Sequence, residues 1–421
     1  MEVKITSKEL VKPSSRTPRH LRTFKLSLLD QLIYAPVTPF ILFYPSNSEP
    51  NPLLDVRQKL NLLKKSLSQT LCRFYPLAGI IQDDLTVECD DGGAHFIEAT
   101  VNLSLSQFLA NPDLILLNKF VPSGLRYAYG DSLELTRAAN IQVNVFRCGG
   151  LAIGICNPHR LQDGTAIGTF LMEWAAAARS GSSPAASWGL VVSPAQLFPV
   201  KDLCLRDKFL NAFNLNYKRG KCVRQRFLFS RSSIEALRAR GSGPIVKNPT
   251  RVEAVSGFLW KCAMAASERK NNGLRRPSVF TQFVNIRKRI NPPSSKFYLG
   301  NFIWLAIAKC HNIDSYNDML PSLIGGGGSN DEADYIGCSS WCSFGAYNIN
   351  FGWGRPMWIS SVGVNMPVFI NFIYLVNTRA SDGIEAWVTL DEMEMAILQE
   401  DPELRTFASV NPSPVVISSM I

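Results

Sequence analysis

Apolar residues recur along this chain at two spacings. Between residues 56 and 72, Leu60, Leu63, Leu67 and Leu71 fall at helical intervals, which predicts an amphipathic helix. Short unbroken apolar runs predict strands instead, the clearest being residues 39–44 (PFILFY). Residues 2–8 read as a first strand, followed by a polar Pro/Ser turn at 12–18 and the segment LSLLDQ at 26–31. Beyond the helix, RFYPLAG at 73–79 breaks the pattern at Pro76, and two short strands follow with acidic turns at Asp83-Asp84 and Asp90-Asp91.

The clearest unit spans residues 141–178. A strand, IQVNVFRC, meets a Gly149-Gly150 turn and a second strand, LAIGIC, which together are a hairpin signal. The loop NPHRLQDG then leads into a helix, TAIGTFLMEWAAAA, so that His159 sits where a buried strand ends and a helix is about to begin. Periodicity fades between residues 180 and 226, where Pro, Ser and Gly cluster, which marks an interdomain crossover. A strand at 225–230 and a helix at 232–240 restart the alternation, and Thr250 with Glu253 forms a capping-box pattern that opens another helix. IWLAIAKC at 303–310 reads as a buried strand leading to His311. The fold class is α/β.

Composition narrows the class further. With 421 residues, 46% hydrophobic, the chain can bury a large core, and its length favours two or more domains over one. The net charge of +10 favours anionic ligands such as phosphates. No zinc-finger spacing, basic zipper region or RNA-recognition signature accompanies it, so no nucleic-acid partner is expected. The ten cysteines lack a disulfide rhythm and read as reduced core thiols; Cys338 and Cys342 have no companion ligands, so no metal is expected. The segment MEVKITSKEL has no signal-peptide core and no run approaches bilayer length, from which a cytosolic protein without membrane association is expected. Residues 324–329 read IGGGGS, the composition of an engineered flexible linker; we infer that a native segment was replaced at 325–329.

Four histidines are available for chemistry. His20 and His95 lie in polar or turn settings and read as surface residues, and His311 as a strand-end polar residue. Only His159 is set for catalysis: a neutral imidazole, held rigidly and partly desolvated, can take a hydroxyl proton near pH 7. Asp163, four residues on, could hold the loop by pairing with an arginine, although a local hydrogen-bonded turn would give the same H-x-x-x-D pattern. There is no G-x-S-x-G elbow for a serine hydrolase.

The H-x-x-x-D-G loop is accompanied far downstream by residues 350–354 (NFGWG). Together with SKELVKPSSRTP, LSLLDQ, PFILFYP, SLSQTLCRFYPLAG, VNIRKRINPP, SSWCSFGAYNINFGWG and DGIEAW, these segments resemble the BAHD family of plant acyltransferases over nearly the whole chain, and most closely its vinorine synthase and salutaridinol acetyltransferase subgroup. The resemblance implies two chloramphenicol-acetyltransferase-like domains, with mixed sheets flanked by helices and a channel between them. We place them at residues 1–180, carrying the H-x-x-x-D loop, and 225–421, carrying NFGWG, joined by a crossover at 181–224.

It also implies an acyl-coenzyme A-dependent O-acyltransferase that transfers acetyl to an alkaloid or terpenoid hydroxyl. His159 would be the general base, with no acyl-enzyme and no permanently bound cofactor; acetyl-CoA and a small alcohol would be its partners, and the protein a monomer. Asp163 would be an orienting residue paired with Arg287. Trp353 could aim its indole N–H at the developing oxyanion, worth about 2–4 kcal/mol if well placed. Coenzyme A would lie near Ser256, Trp260, Lys261, Asn285 and Arg287, while Asn350, Phe351, Gly352 and Gly354 would build a structural loop. Two positions depart from the family pattern: Asn350 replaces an aspartate and Ile80 an arginine. Another acyl donor, such as benzoyl or hydroxycinnamoyl coenzyme A, an amine acceptor, and a diverged member without transferase activity stay open.

Overall fold

The computed structural model describes residues 1–33, 37–46, 52–83, 85–122, 136–181, 191–200, 218–290, 296–310, 333–364 and 368–415. The expected linker at 325–329, His311 and most of the 181–224 crossover lie outside these residues.

The chain forms two compact units, each a mixed sheet flanked by helices, but they interleave in sequence. One comprises Met1–Asp202 with Ile286–Phe302 and Phe344–Gly363; the other comprises Leu203–Asn285, Ile303–Ser343 and Val364–Ile421. This differs from the sequential division expected, because two segments of the C-terminal half are built into the first unit. One reason is sheet completion: Trp358–Ser360 pairs antiparallel with the Val37–Tyr44 strand as a sixth strand. The NFGWG loop is carried with it.

In the first unit the six described strands of the main sheet run in the order Val3–Val11, Ala94–Val101, Asn140–Phe146, Leu151–Pro158, Val37–Tyr44, Trp358–Ser360, and a small second sheet joins Thr23–Lys25, Thr86–Glu88, Ile80–Ile81 and Thr136–Arg137. The Gly-Gly turn does join two antiparallel strands, with Gly149 at φ 81°, where a side chain would be strained. Every residue of the Leu151–Pro158 strand is buried, as its unbroken apolar run predicted. The helices Pro52–Arg73 and Gly164–Ser180 pack together: Trp174 Nε1 donates to Leu63 O and Ser66 Oγ, both at 3.1 Å, and Phe74 meets Phe170 edge to face at 5.5 Å. The strand and helix on either side of His159 are therefore both anchored in core.

Among the described residues the main sheet of the second unit has seven strands, in the order Ile303–Cys310, Ser278–Asn285, Asp334–Ser340, Phe372–Asn377, Ile384–Asp391, Cys222–Phe229, Ala408–Val410. Its core packs Phe227, Phe229, Ile373 and Leu375 against Ile234, Leu259 and Leu398 of the flanking helices. The helix Arg251–Lys270 starts at the capping box read from sequence, with Thr250 Oγ1 accepting from Glu253 N at 3.2 Å and Glu253 Oε2 from Thr250 N at 2.7 Å. The Ile303–Cys310 strand is a correction. Among the described residues it is the edge of its sheet, paired on one side only, and Trp304 is 52% exposed rather than buried.

Gly154 shows how tightly the strand before His159 is held. A Cβ there would lie 2.0 Å from the Phe120 carbonyl oxygen, a backbone atom that cannot swing aside. Replacing Gly154 with Ala is expected to cost about 3 kcal/mol in urea unfolding, at the upper end for overpacking. An unchanged unfolding midpoint would show that the Phe120 segment yields.

Candidate active site

The loop between strand and helix is closed by its own backbone. Leu161 N donates to Pro158 O at 3.0 Å and Gln162 N to His159 O at 3.2 Å, while Asn157 Nδ2 reaches Gln162 Oε1 at 2.8 Å. Gly164 completes it, because a Cβ there would fall 1.9 Å from the Phe344 ring. The final glycine of H-x-x-x-D-G leaves room for the Phe344 ring, which would have to swing aside for a larger residue.

Asp163 is the N-cap of the Gly164–Ser180 helix, its Oδ1 accepting from Ala166 N at 2.9 Å. Its Oδ2 accepts from Arg287 at 2.5 Å and from Phe302 N at 3.0 Å. Both side chains of the Asp163–Arg287 pair are buried. Arg287 also donates to Gly300 O at 3.2 Å, and its guanidinium lies over the Phe302 ring at 4.7 Å. A buried charge needs such a partner, since desolvation costs several kcal/mol per ion. The carboxylate is turned into the protein, joining the helix start to the segment at 286–302.

His159 is half-buried. Its Nδ1 lies 3.1 Å from Asn301 Oδ1, and its Nε2 makes no hydrogen bond to a described residue. Burial pushes the imidazole pKa below 6.5; its own backbone, the Asp163 charge and the Asn301 bond oppose that shift without reversing it. The ring is therefore neutral at pH 7, with Nε2 able to accept a proton. Asn301 was missed in the sequence, where a lone Asn in a Gly-Asn-Phe run carries no signal. His20 and His95 are exposed, as expected.

The NFGWG residues named from sequence lie elsewhere in the same unit as His159. Trp353 stacks on Phe351 at 5.6 Å and meets Tyr44 edge to face at 6.3 Å, with the Lys59 ammonium over its ring. Tyr44 is at the far end of the Val37–Tyr44 strand from the Val37–Pro158 pair, and seven residues at about 3.3 Å each place the indole on the order of 20 Å from His159. The expected oxyanion role of Trp353 is thereby overturned; it is a core residue. Asn350 holds its loop from within, Oδ1 accepting from Gly352 N at 2.9 Å and Gly354 N at 3.0 Å, with Arg179 donating to Asn350 O. Gly352 and Gly354 both have positive φ, 117° and 104°. Phe351 is fully buried against Trp174.

Of the residues expected around coenzyme A, Ser256 is buried, donating to Glu253 O, and Trp260 Nε1 donates to Ser278 Oγ at 2.9 Å. Lys261 forms an exposed ion pair with Glu403, whose carboxyl it holds below the usual range. Asn285 ends the Ser278–Asn285 strand. Arg287 is a correction: buried on Asp163, its guanidinium is not presented to a phosphate. Among the described residues no three His, Cys, Asp or Glu gather to hold a metal, and no helix is long and apolar enough to cross a membrane.

Asp163→Ala leaves a buried guanidinium unpaired and uncaps a helix, so stability should fall by about 3–5 kcal/mol in denaturant titration; a stable but inactive variant would instead assign Asp163 to the chemistry. Asn350→Asp keeps both N–H bonds and adds a charge near Arg179, so the thermal midpoint should rise, by about 0.5–1 kcal/mol of stability; a fall would show that the carboxylate is poorly tolerated.

Comparison with known proteins supplies the family. The Transferase family is matched over residues 1–315 and 311–405. The chain is 39% identical to an epi-neemfruitin B 7-O-acetyltransferase of Melia azedarach, over 99% of this chain and all of that one, and 36% identical to a limonoid 7-O-acetyltransferase of Citrus sinensis, again over 99% and 100%. Its structure is similar to the crystal structure of vinorine synthase, with a TM-score of 0.79, 31% identity, and coverage of 97% of this chain and 99% of the other. The chain belongs to the Transferase family, as a plant-type BAHD acyltransferase.

Proposed function

We propose that the protein transfers an acetyl group from acetyl-CoA to a hydroxyl of a specialised metabolite, with His159 as general base. The observation that carries this is the imidazole fixed through Nδ1 on Asn301 at the end of a buried strand, its Nε2 bonded to no described residue. Nε2 takes the hydroxyl proton as the alcohol oxygen attacks the thioester carbonyl. When the tetrahedral intermediate collapses, the carbon–sulfur bond breaks, and the imidazolium returns its proton to the departing thiolate. No acyl-enzyme forms, because the alcohol attacks the thioester directly.

The acceptor we propose is a terpenoid or alkaloid alcohol. Full-length likeness to the limonoid 7-O-acetyltransferase supports the terpenoid side. We propose further that the enzyme carries no permanent cofactor and works as a cytosolic monomer, associated with neither membrane nor nucleic acid. The described cysteines are free thiols, which supports a reducing compartment. For coenzyme A, the helix carrying Ser256 and Lys261 and the strand end at Asn285 remain our proposed side of approach. Asp163 and Arg287 are proposed to act structurally.

Incubation with acetyl-CoA and a panel of terpenoid and alkaloid alcohols, following thiol release, tests this reading. His159→Ala should lower turnover by about 10³-fold, within the usual range for general-base catalysis, with the unfolding midpoint unchanged. Turnover equal to wild type would remove His159 as the base. Because folding lowers the imidazole pKa from 6.5, the base keeps its lone pair to lower pH than a free imidazole does, and the acid limb of kcat/KM should have its midpoint below 6.5. A midpoint above 7 would contradict the neutral ring.

A further inference from the structure

The segment LSLLDQ leads to the base by a route that the chemistry above does not use. Ser27 and Asp30 form a capping box at the short helix Leu28–Gln31: Ser27 N and Oγ both donate to Asp30 Oδ2 at 2.7 Å, and Asp30 N donates to Ser27 Oγ at 3.2 Å. That leaves Oδ1 for other donors. It accepts from Asn301 N at 2.7 Å and from Asn301 Nδ2 at 2.9 Å. Ser27, Asp30 and Asn301 are each fully buried.

The orientation of the Asn301 amide follows from its neighbours. Nδ2 faces the Asp30 carboxylate, His159 O at 2.9 Å and Arg160 O at 3.1 Å, which all accept and never donate. Reversing the amide would set its oxygen against three acceptors. Oδ1 is therefore the atom facing His159 Nδ1, and since Oδ1 can only accept, Nδ1 must carry the proton. A neutral imidazole protonated on Nδ1 has its lone pair on Nε2, the nitrogen that the transfer requires. Resting on His159 as the base, we propose that Asn301 and Asp30 are positioning residues, with Asp30 locking the Asn301 amide and Asn301 locking the productive tautomer of His159.

Burial raises the Asp30 carboxyl pKa and the Ser27 and Asn301 donors offset part of the rise, leaving it at about 6. The group is thus ionised above that pH, which suits a carboxylate surrounded by donors. The arrangement resembles the ordering of acid and imidazole in a serine-protease triad, where loss of the orienting group traps the wrong tautomer. Here an amide stands between the two, so the acid never touches the base.

The proposal is tested by nitrogen-15 NMR of the full chain labelled on histidine, assigning the His159 signals by their loss in His159→Gln. In the wild type at pH 8, His159 should be a single neutral form with the proton on Nδ1; an Nε2-protonated form, or an even mixture, overturns the proposal without any variant having to fold. Asn301→Leu removes the acceptor, so kcat should fall about 100-fold, KM for acetyl-CoA should stay within about threefold, and the tautomers should mix. Asp30→Asn should lower kcat about tenfold, with a smaller Nδ1-protonated fraction. Wild-type kcat and tautomer in Asn301→Leu would overturn the positioning of the base, and the same result in Asp30→Asn would overturn the part assigned to the acid. Should His159→Ala retain turnover, the base assignment itself fails, and the tautomer measurement shows that failure to be separate from this one.

Discussion

A carboxylate buried at the start of a helix has to be neutralised, and in this chain the neutralising groups come from far along the sequence. Asp163 spends one oxygen on its own helix cap and the other on Arg287 and the Phe302 N–H, 124 and 139 residues away. Neither contact could be dropped cheaply, because each replaces water lost on burial. The ion pair thus fixes two things at once: the angle at which the helix leaves the His159 loop, and the position of the segment 286–302 beside it. That segment also carries Asn301, so the placement of the base and the neutralisation of Asp163 share one anchor.

This explains why a motif with two ionisable residues does two different jobs. His159 and Asp163 are four apart, yet the ring and the carboxylate have separate hydrogen-bond partners. The histidine is kept neutral by burial and oriented by an uncharged amide, leaving one nitrogen for proton transfer. The aspartate turns its carboxylate into the core, onto Arg287 and the Phe302 N–H. The NFGWG loop belongs to the same structural layer: Asn350 closes it through two backbone N–H bonds, and Trp353 and Phe351 fill space beside Tyr44 and Trp174. The change from aspartate to asparagine therefore touches packing at a distance from the base. Ile80, the other departure, sits in a small sheet paired with Glu88 and Arg137, on neither element that flanks His159.

Local order was legible in the amino-acid sequence because it depends on neighbours in the chain. Helical spacing of Leu60, Leu63, Leu67 and Leu71, the Gly149 turn and the Thr250–Glu253 box each involve residues close in sequence, and each appears in the fold. The same local reading placed His159 between strand and helix, and the combination of its loop with NFGWG identified the family. Where the local rule lacked information, it failed: an apolar run such as IWLAIAKC reads alike at the centre or the edge of a sheet, and this strand lies at the edge.

What only the tertiary structure decided is which distant groups meet. The sequence by itself determined the elements, the candidate base and the class of chemistry. It held no sign that residues 286–302 and 344–363 would join the first unit, that Trp353 would lie a strand's length from His159, or that Asn301 and Asp30 would stand behind the imidazole. Periodicity and capping arise from the backbone's own geometry over a few residues. Hydrogen bonds spanning 142 and 271 residues arise from packing, and are decided only when the sheets have formed and buried polar groups must find partners.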